Sequence, residues 1–592
     1  MKLFRSLLAF SLLIMIMVYF SFAPTAQAQT TINVTTFDDE LNTNNECSLR
    51  EAITNANNGD QTYADCASGA GSDVIIDLPA GTYTLTITGT GNDSNETGDL
   101  DIAIGSGRTL TIMGDSPGST IIDANGIDRA LHLLSGNVVL ENLTITGGYT
   151  IITDNGAGVL HAGDSLIVDN VLIDDNESEA DNGGGIAHFA GTLTIRDSTL
   201  SNNTAFSRGG GLYTVNSGNI LIERSLFLNN SGTNGGGGGI YMESNTVNVS
   251  NTTFTGNSGA TNGGGIWVGP GNGELTINNS TFYNNGPGNG RAIRNFSSVA
   301  VVLRNTVLLR GSADANLCTT NAGGFSASDS LADDNSCTGT ATDASDIALD
   351  ATLRQNGGPT LTHALLPGSV AIDGGENATC AATDQRGLTR PVDYTRDGTP
   401  TCDVGAFERQ AAEAHTATVD TNETVSFGTT LVTIVNNDDT VSLGTVTVTR
   451  QNQPPGGSFS EGEMPFHVNI NADVNTGLDI DLTLCYTDWE VGEGDNVNEE
   501  LLELYRWNDN TSEWDLVGGD VDTTANCVTA DNITELSSWT LSSGPANPTA
   551  VSLATIGVSN VSSGLGLFAL ALLVLFTSAL LWFWRRSLTS IR

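Results

Sequence analysis

The chain has 592 residues, with 22 Lys and Arg against 67 Asp and Glu, and a formal net charge of −45. Its single lysine is Lys2, so Schiff-base and P-loop chemistry lack their amine, and a basic footprint for nucleic acid is missing. Charged residues are only 15% of the whole, so the acidity reflects scarce bases; it favours solubility and loosely held divalent cations.

Residues 1–28 carry Lys2 and Arg5, an apolar run from Leu7 to Phe22, and Ala26-Gln27-Ala28. This is the pattern of a secretory signal peptide with a small-residue cleavage site, and it predicts an exported chain. Cys47–Ile53 reads CSLREAI, in which Ser48 and Glu51 form a capping-box pattern. A helical turn is expected there, lying over the open first coil of whatever repeats follow. Asp73–Ile87, Thr109–Gly114 and Thr120–Asp123 read as irregular opening coils.

The centre of the chain repeats itself. NGAGV at Asn155–Val159 returns as NGGGI at Asn182–Ile186, RGGGL at Arg208–Leu212, NGGGGGI at Asn234–Ile240 and NGGGI at Asn262–Ile266. The closing residues Val159, Ile186, Leu212, Ile240 and Ile266 are 27, 26, 28 and 26 residues apart. A fixed period in this range means a repeat architecture. A second block recurs with it, as in LTIRDSTL (Leu193–Leu200), VNVSNTTF (Val247–Phe254) and LTINNSTF (Leu275–Phe282). Its first and third positions are Val, Leu or Ile and its eighth is Ile, Leu or Phe, which reads as a strand with one buried face. Three residues further on stand Asn176, Asn203, Asn230, Asn257 and Asn285. Asn tolerates left-handed backbone, and stacked Asn side chains can ladder. Strand, Asn turn, Gly-rich turn and short strand every ~27 residues describe one coil of a parallel β-helix, in which each coil buries its apolar face only against its neighbours.

Val138–Leu308, with its paired GGGI and FxxN motifs (Phe227–Asn230, Phe254–Asn257, Phe282–Asn285), resembles the repeats of the chlamydial polymorphic outer membrane proteins. CSLREAI is similar to the motif that names the CSLREA group of secreted β-helix proteins. Within Leu353–Glu408, LRQNGGPTLTHALLPGSVAID, ATDQRGLTRP and CDVGAFE resemble the choice-of-anchor Q module of surface proteins. These resemblances imply a right-handed, pectin-lyase-like β-helix shown at a bacterial surface, with residues 29–350 as the capped β-helix and 351–409 as a module that closes it.

The eight cysteines are Cys47, Cys66, Cys318, Cys337, Cys380, Cys402, Cys485 and Cys527. An even count in an exported chain implies disulfides. Sequential pairing gives four short loops, although sequence alone leaves the connectivity open. Residues 410–545 lose the Gly runs and gain short alternating strands with Tyr505, Trp507, Trp514 and Trp539, which predicts a β-sandwich that serves as a stalk. After a linker at 546–563, residues 564–584 include twenty uncharged, mostly apolar positions from Leu565 to Trp584, followed by Arg585 and Arg586. This is long enough for one transmembrane helix, with 585–592 as a cytoplasmic tail. The expected fold class is all-β, a parallel β-helix followed by a smaller β-sandwich and one C-terminal span.

Four groups of residues are candidates for function. Outward positions Glu141, Asp169, Arg196 and Glu223 lie on adjacent rungs, ~4.8 Å apart. They superficially resemble a lyase's base among metal-binding carboxylates, but a cross-strand charge ladder is the favoured reading. His132, His161 and His188 recur at the repeat spacing and are expected to stack as a hydrogen-bonded row, because the rung-to-rung backbone spacing is more than twice a Zn–N bond of ~2.0–2.1 Å. Asp393, Asp397 and Asp403 stand where the choice-of-anchor module often carries a DxDxDG run. Here the run has lost a carboxylate, so an acidic turn is favoured over a calcium site. Tyr213, Tyr241 and Trp267 each follow an inward residue of the repeat. They form either an exposed stripe able to stack on sugar faces or a ring stack beneath the glycine turns.

The combined reading is a non-catalytic, membrane-anchored bacterial cell-surface protein that displays its β-helix for adhesion or glycan contact, with no cofactor unless calcium. The alternative is an extracellular polysaccharide lyase or glycoside hydrolase.

Overall fold

The computed structural model describes residues 29–544, apart from 152–154, 216–217, 312–314, 395–397, 453–458, 460–461, 494–496, 509 and 512. The expected signal peptide (1–28), linker (546–563), transmembrane segment (564–584) and tail (585–592) lie outside the described residues. Among the described residues, no helix is long and apolar enough to cross a membrane.

The N-terminal part is a right-handed parallel β-solenoid. Its first sheet has eleven strands, from Thr30–Asn33 to Phe325–Ser328. The second has ten, from Gly81–Thr84 to Leu331–Ala332, and the third has nine, from Leu100–Ala103 to Cys318–Thr320. The apolar column expected from the GGGI repeats is formed: Val159 pairs with Ile186, Ile186 with Leu212, Leu212 with Ile240, Ile240 with Ile266, and Ile266 with Ile293. All six are fully buried. The glycines bend the chain back just before each of these residues. Gly209 has φ +68°, and a Cβ there would lie 2.5 Å from the Leu212 carbonyl oxygen, so only glycine fits.

The eight-residue block is not one strand, as its alternation suggested. LTIRDSTL divides into Thr192–Arg196 in the first sheet and Thr199–Ser201 in the second. The corner residue between them is left-handed, with φ of 44–58° at Asn142, Asn170, Asp197, Arg224, Asn251, Asn279 and Asn305. That single residue resets the alternation, which is why the first, third and eighth positions can all point inward. The Asn column is also refined. Asn176, Asn203, Asn230, Asn257 and Asn285 are the buried ladder, whereas the left-handed residues are those just before them, Asp175, Asn202, Asn229, Gly256 and Asn284. Asn176, Asn203, Asn230 and Asn257 each donate from Nδ2 to the next Oδ1 at 2.9–3.0 Å.

The CSLREA segment forms a longer cap than one turn. Helix Leu49–Asn58 starts with a full capping box, Glu51 N–H donating to Ser48 Oγ (3.2 Å) and Ser48 N–H donating to Glu51 Oε2 (3.1 Å). Leu49, Ala52, Ile53 and Ala56 join the solenoid core. Buried Arg50 ties the helix to Asp39 (2.6 Å) and to the carbonyls of Asp99 (3.0 Å) and Gly98 (2.8 Å). At the other end, the short helix Asn335–Thr338 brings Cys337 into the same core.

Residues 351–409, expected to close the solenoid, lie along the outer face of its second sheet. Thr253 Oγ1 donates to Gln385 Oε1 (2.6 Å), His363 Nε2 is 3.1 Å from Thr255 Oγ1, and Ala406 N–H donates to Thr281 Oγ1 (3.0 Å). Polar outward side chains on those strands are therefore docking points. The segment holds itself together with buried arginines, among them Arg386, which pairs with Asp384 (2.8 Å) and Glu413 (3.1 Å) and lies over the Phe407 ring. Glu413 already belongs to the next unit, where a six-stranded and a five-stranded antiparallel sheet enclose Phe427, Phe466 and Trp539. Tyr505 and Trp514 pack separately with Phe459, and Trp507 lies against them. The disulfides are Cys47–Cys66, Cys318–Cys337, Cys380–Cys402 and Cys485–Cys527, the sequential pairing.

Candidate functional site

The outward charges of the first sheet form rung-to-rung ties. Asp169 and Arg196 are register partners, and Arg196 donates to Asp169 Oδ2 from Nε (2.9 Å) and Nη2 (2.6 Å). At the neighbouring corner position Arg224 grips both oxygens of Asp197, from Nε (2.8 Å) and Nη2 (2.6 Å). Each guanidinium gains from its carboxylate hydrogen bond and is pushed further above its already high range. This is the charge ladder expected from spacing, and Glu223, the register partner of Arg196 on its other side, adds its charge to the upward push on Arg224.

His161 and His188 stack in the interior as expected, with ring centroids 4.8 Å apart and Nδ1 2.7 Å from Nδ1. Burial lowers His161 to about 3 and His188 to about 4. His132 does not join them. The coil from Leu131 to its partner Val159 spans 28 residues, while His161 is 29 residues after His132, so the two histidines differ by one register position. A one-residue slip flips the side chain to the other face. His132 is opposite Leu160 and Asp101 instead.

The aromatic residues come together, but not as an exposed stripe. Tyr213 and Tyr241 stack at 5.3 Å and 9°, and Trp267 meets Tyr241 edge-on at 5.0 Å. Tyr241 is fully buried, Trp267 is 9% exposed and Tyr213 is half-buried. The glycine turns lie over this outer face, since a Cβ on Gly209 would stand 2.8 Å from Tyr213 Cα and one on Gly237 2.9 Å from Tyr241 N. Arg208 covers the stack, with its guanidinium 5.0 Å from the Tyr241 ring centre and 5.2 Å from that of Trp267. Tyr241 Oη donates to Glu243 Oε2 (2.7 Å), and burial followed by that bond holds the phenol far above its ordinary range.

The acidic turn is divided in the same way. Asp393 Oδ2 accepts from Gly398 N–H (3.0 Å), and Asp397 lies outside the described residues. Asp403 is fully buried and turned inward, its oxygens accepting from Asp373 N–H (2.8 Å) and Arg409 N–H (2.6 Å). Burial, and then the charge of Glu408, pushes Asp403 well above the usual carboxylate range. Both Asp403 carboxylate oxygens thus accept from backbone amides.

One further group was not legible in sequence. Asp93, Asp101 and His132 bring their donor atoms within 4.8 Å of one another. The run of carboxylates Asp93, Glu96, Asp99 and Asp101 is a visible signal, but His132 reaches it only through rung stacking.

Residues 118–282 match the family model for the right handed beta helix region. No curated protein and no solved structure matches the chain. Fold and match together define a right-handed parallel β-helix protein, a class that includes both enzymes and adhesins.

Proposed function

We propose that the protein is a non-catalytic, membrane-anchored cell-surface protein that displays its β-helix for adhesion. The observation that supports this reading is the tie between Arg196 and Asp169. The base that a lyase would use is held by the carboxylate that would hold its metal, and the pair becomes part of a ladder of charges between rungs. The CSLREA and choice-of-anchor resemblances and the apolar segment at 564–584 support surface display and anchoring.

With Tyr241 and Trp267 covered, this reading places contact on the first sheet. Ile167, Thr194, Leu221, Asn248 and Thr276 form one outward column there, in continuous register. A glycan or another cell-surface molecule is the proposed partner. The test is a glycan array and a cell-binding assay on the purified ectodomain, run beside assays for new reducing ends and unsaturated products. Binding without product is expected, and is lost in a Thr194→Arg, Leu221→Arg, Asn248→Arg variant that keeps its melting temperature. Turnover of any polysaccharide would replace this reading with the lyase or hydrolase alternative. Truncation after Pro548 is expected to release the chain to the medium; a truncated chain that stays with the membrane would remove the anchoring part.

A further inference from the structure

We propose that Asp93, Asp101 and His132 bind one divalent transition-metal cation of the zinc class at the N-terminal end of the solenoid. Asp101 and His132 are register partners on successive strands of the third sheet, so rung stacking alone sets their side chains beside each other. Asp93 comes over them from the connection that precedes strand Leu100–Ala103.

The geometry fits a shared ion. His132 Nδ1 is 3.4 Å from Asp93 Oδ1 and 3.4 Å from Asp101 Oδ1. Two tetrahedral ligands each about 2.1 Å from Zn²⁺ stand about 3.4 Å apart. The Asp101 side chain is fully buried, and its Oδ1 has no hydrogen-bond partner while it faces the imidazole. A buried carboxylate oxygen left in this state is costly, and a cation is the partner that satisfies it. The other oxygen, Oδ2, accepts from Asn95 N–H (2.9 Å), and this bond fixes the carboxylate's orientation.

The donor set selects the class of ion. One imidazole with two carboxylates suits zinc and its first-row neighbours, whereas calcium and magnesium prefer oxygen alone. Three protein ligands leave one tetrahedral position for water. The ion would also tighten the cap, because Asn95 on the same connection donates from Nδ2 to the Arg50 carbonyl of the capping helix (2.8 Å). Asn57 of that helix brackets Asp101 as well, donating to its carbonyl (2.7 Å) and accepting from Ala103 N–H (2.7 Å).

The test uses the full-length chain without a histidine tag, stripped with a chelator and titrated with ZnCl₂, then with CoCl₂. Asp93→Asn and His132→Gln are compared with the parent. Asp93 has a 68% exposed side chain, so its variant keeps the test valid even if His132→Gln folds poorly. One Zn²⁺ per chain is expected, with a visible ligand-field band for Co²⁺, a higher melting temperature on adding Zn²⁺, and at least about ten-fold weaker binding in each variant. Equal affinity in the parent and Asp93→Asn would overturn the site. So would several weak equivalents without a Co²⁺ band, since the −45 net charge gathers cations without a site.

Discussion

The imidazoles of His161 and His188 lie face to face inside the solenoid, 4.8 Å between ring centres and 20° from parallel, with one Nδ1 2.7 Å from the other. One Nδ1 must donate and the other accept, so the pair is held as a neutral dyad; a proton added at the free Nε2 of the donor ring would keep that bond but place charge at a buried nitrogen with no hydrogen-bond partner. Burial gives the same direction, lowering His161 to about 3 and His188 to about 4. Unfolded imidazole titrates near ~6.5, so between that pH and about 4 the unfolded chain binds more protons than the folded one. The dyad's full contribution is present above the unfolded value and is lost progressively as the pH falls through this window. Thermal melts at pH 7 and pH 5 should show a fall that is shallower in a His161→Gln, His188→Gln double variant. Equal slopes would contradict the neutral dyad.

The Asn ladder predicts a stability effect at its middle. Asn230 Nδ2 donates to the Leu200 carbonyl (2.8 Å) and to Asn257 Oδ1 (3.0 Å), and Asn230 Oδ1 accepts from Asn203 N–H (3.1 Å) and Nδ2 (3.0 Å). Asn230→Ala leaves several buried groups unpaired and should destabilise by about 3 kcal/mol in urea unfolding. Asn230→Asp should be worse, because a carboxylate has no N–H to give.

Packing and surface charge can be set against each other on the same coils. Phe254 is sandwiched between Phe227 (4.9 Å, 14°) and Phe282 (4.6 Å, 5°), all fully buried. Phe254→Ala should cost about 3–5 kcal/mol through lost burial and the cavity left behind. Arg196 has a 44% exposed side chain, and Arg196→Ala should change stability by less than about 1 kcal/mol despite its short ion pair. Comparable losses in the two variants would show that the ladder of charges, and not the apolar interior, holds adjacent rungs together.

The disulfides at the solenoid ends should matter through chain entropy. Cys47–Cys66 and Cys318–Cys337 each close a separation of 19 residues, one beside the capping helix and one at the last coil. Replacing either pair by Ala should lower stability by about 3 kcal/mol. Limited proteolysis should then begin at the end whose bridge is missing, since that end alone loses its staple.

The translational repeat was legible in the sequence because it is local. Ile186, Leu212, Ile240 and Ile266 recur at the coil length, and any chain that stacks such coils must put them in one buried column. The Asn column, the helical cap at Ser48 and the pairing of neighbouring cysteines follow from the same short-range order. What faces outward was decided only by the tertiary structure. The left-handed corners such as Asp197 reset strand alternation, a coil one residue shorter than the spacing of His132 and His161 left His132 opposite Leu160 and Asp101, and the glycine turns closed over Tyr241. Asp403 likewise points inward because the backbone amides of Asp373 and Arg409 hold it there. Side-chain alternation fixes a face only within one strand; across corners and between rungs, the face depends on coil length and on what packs above it.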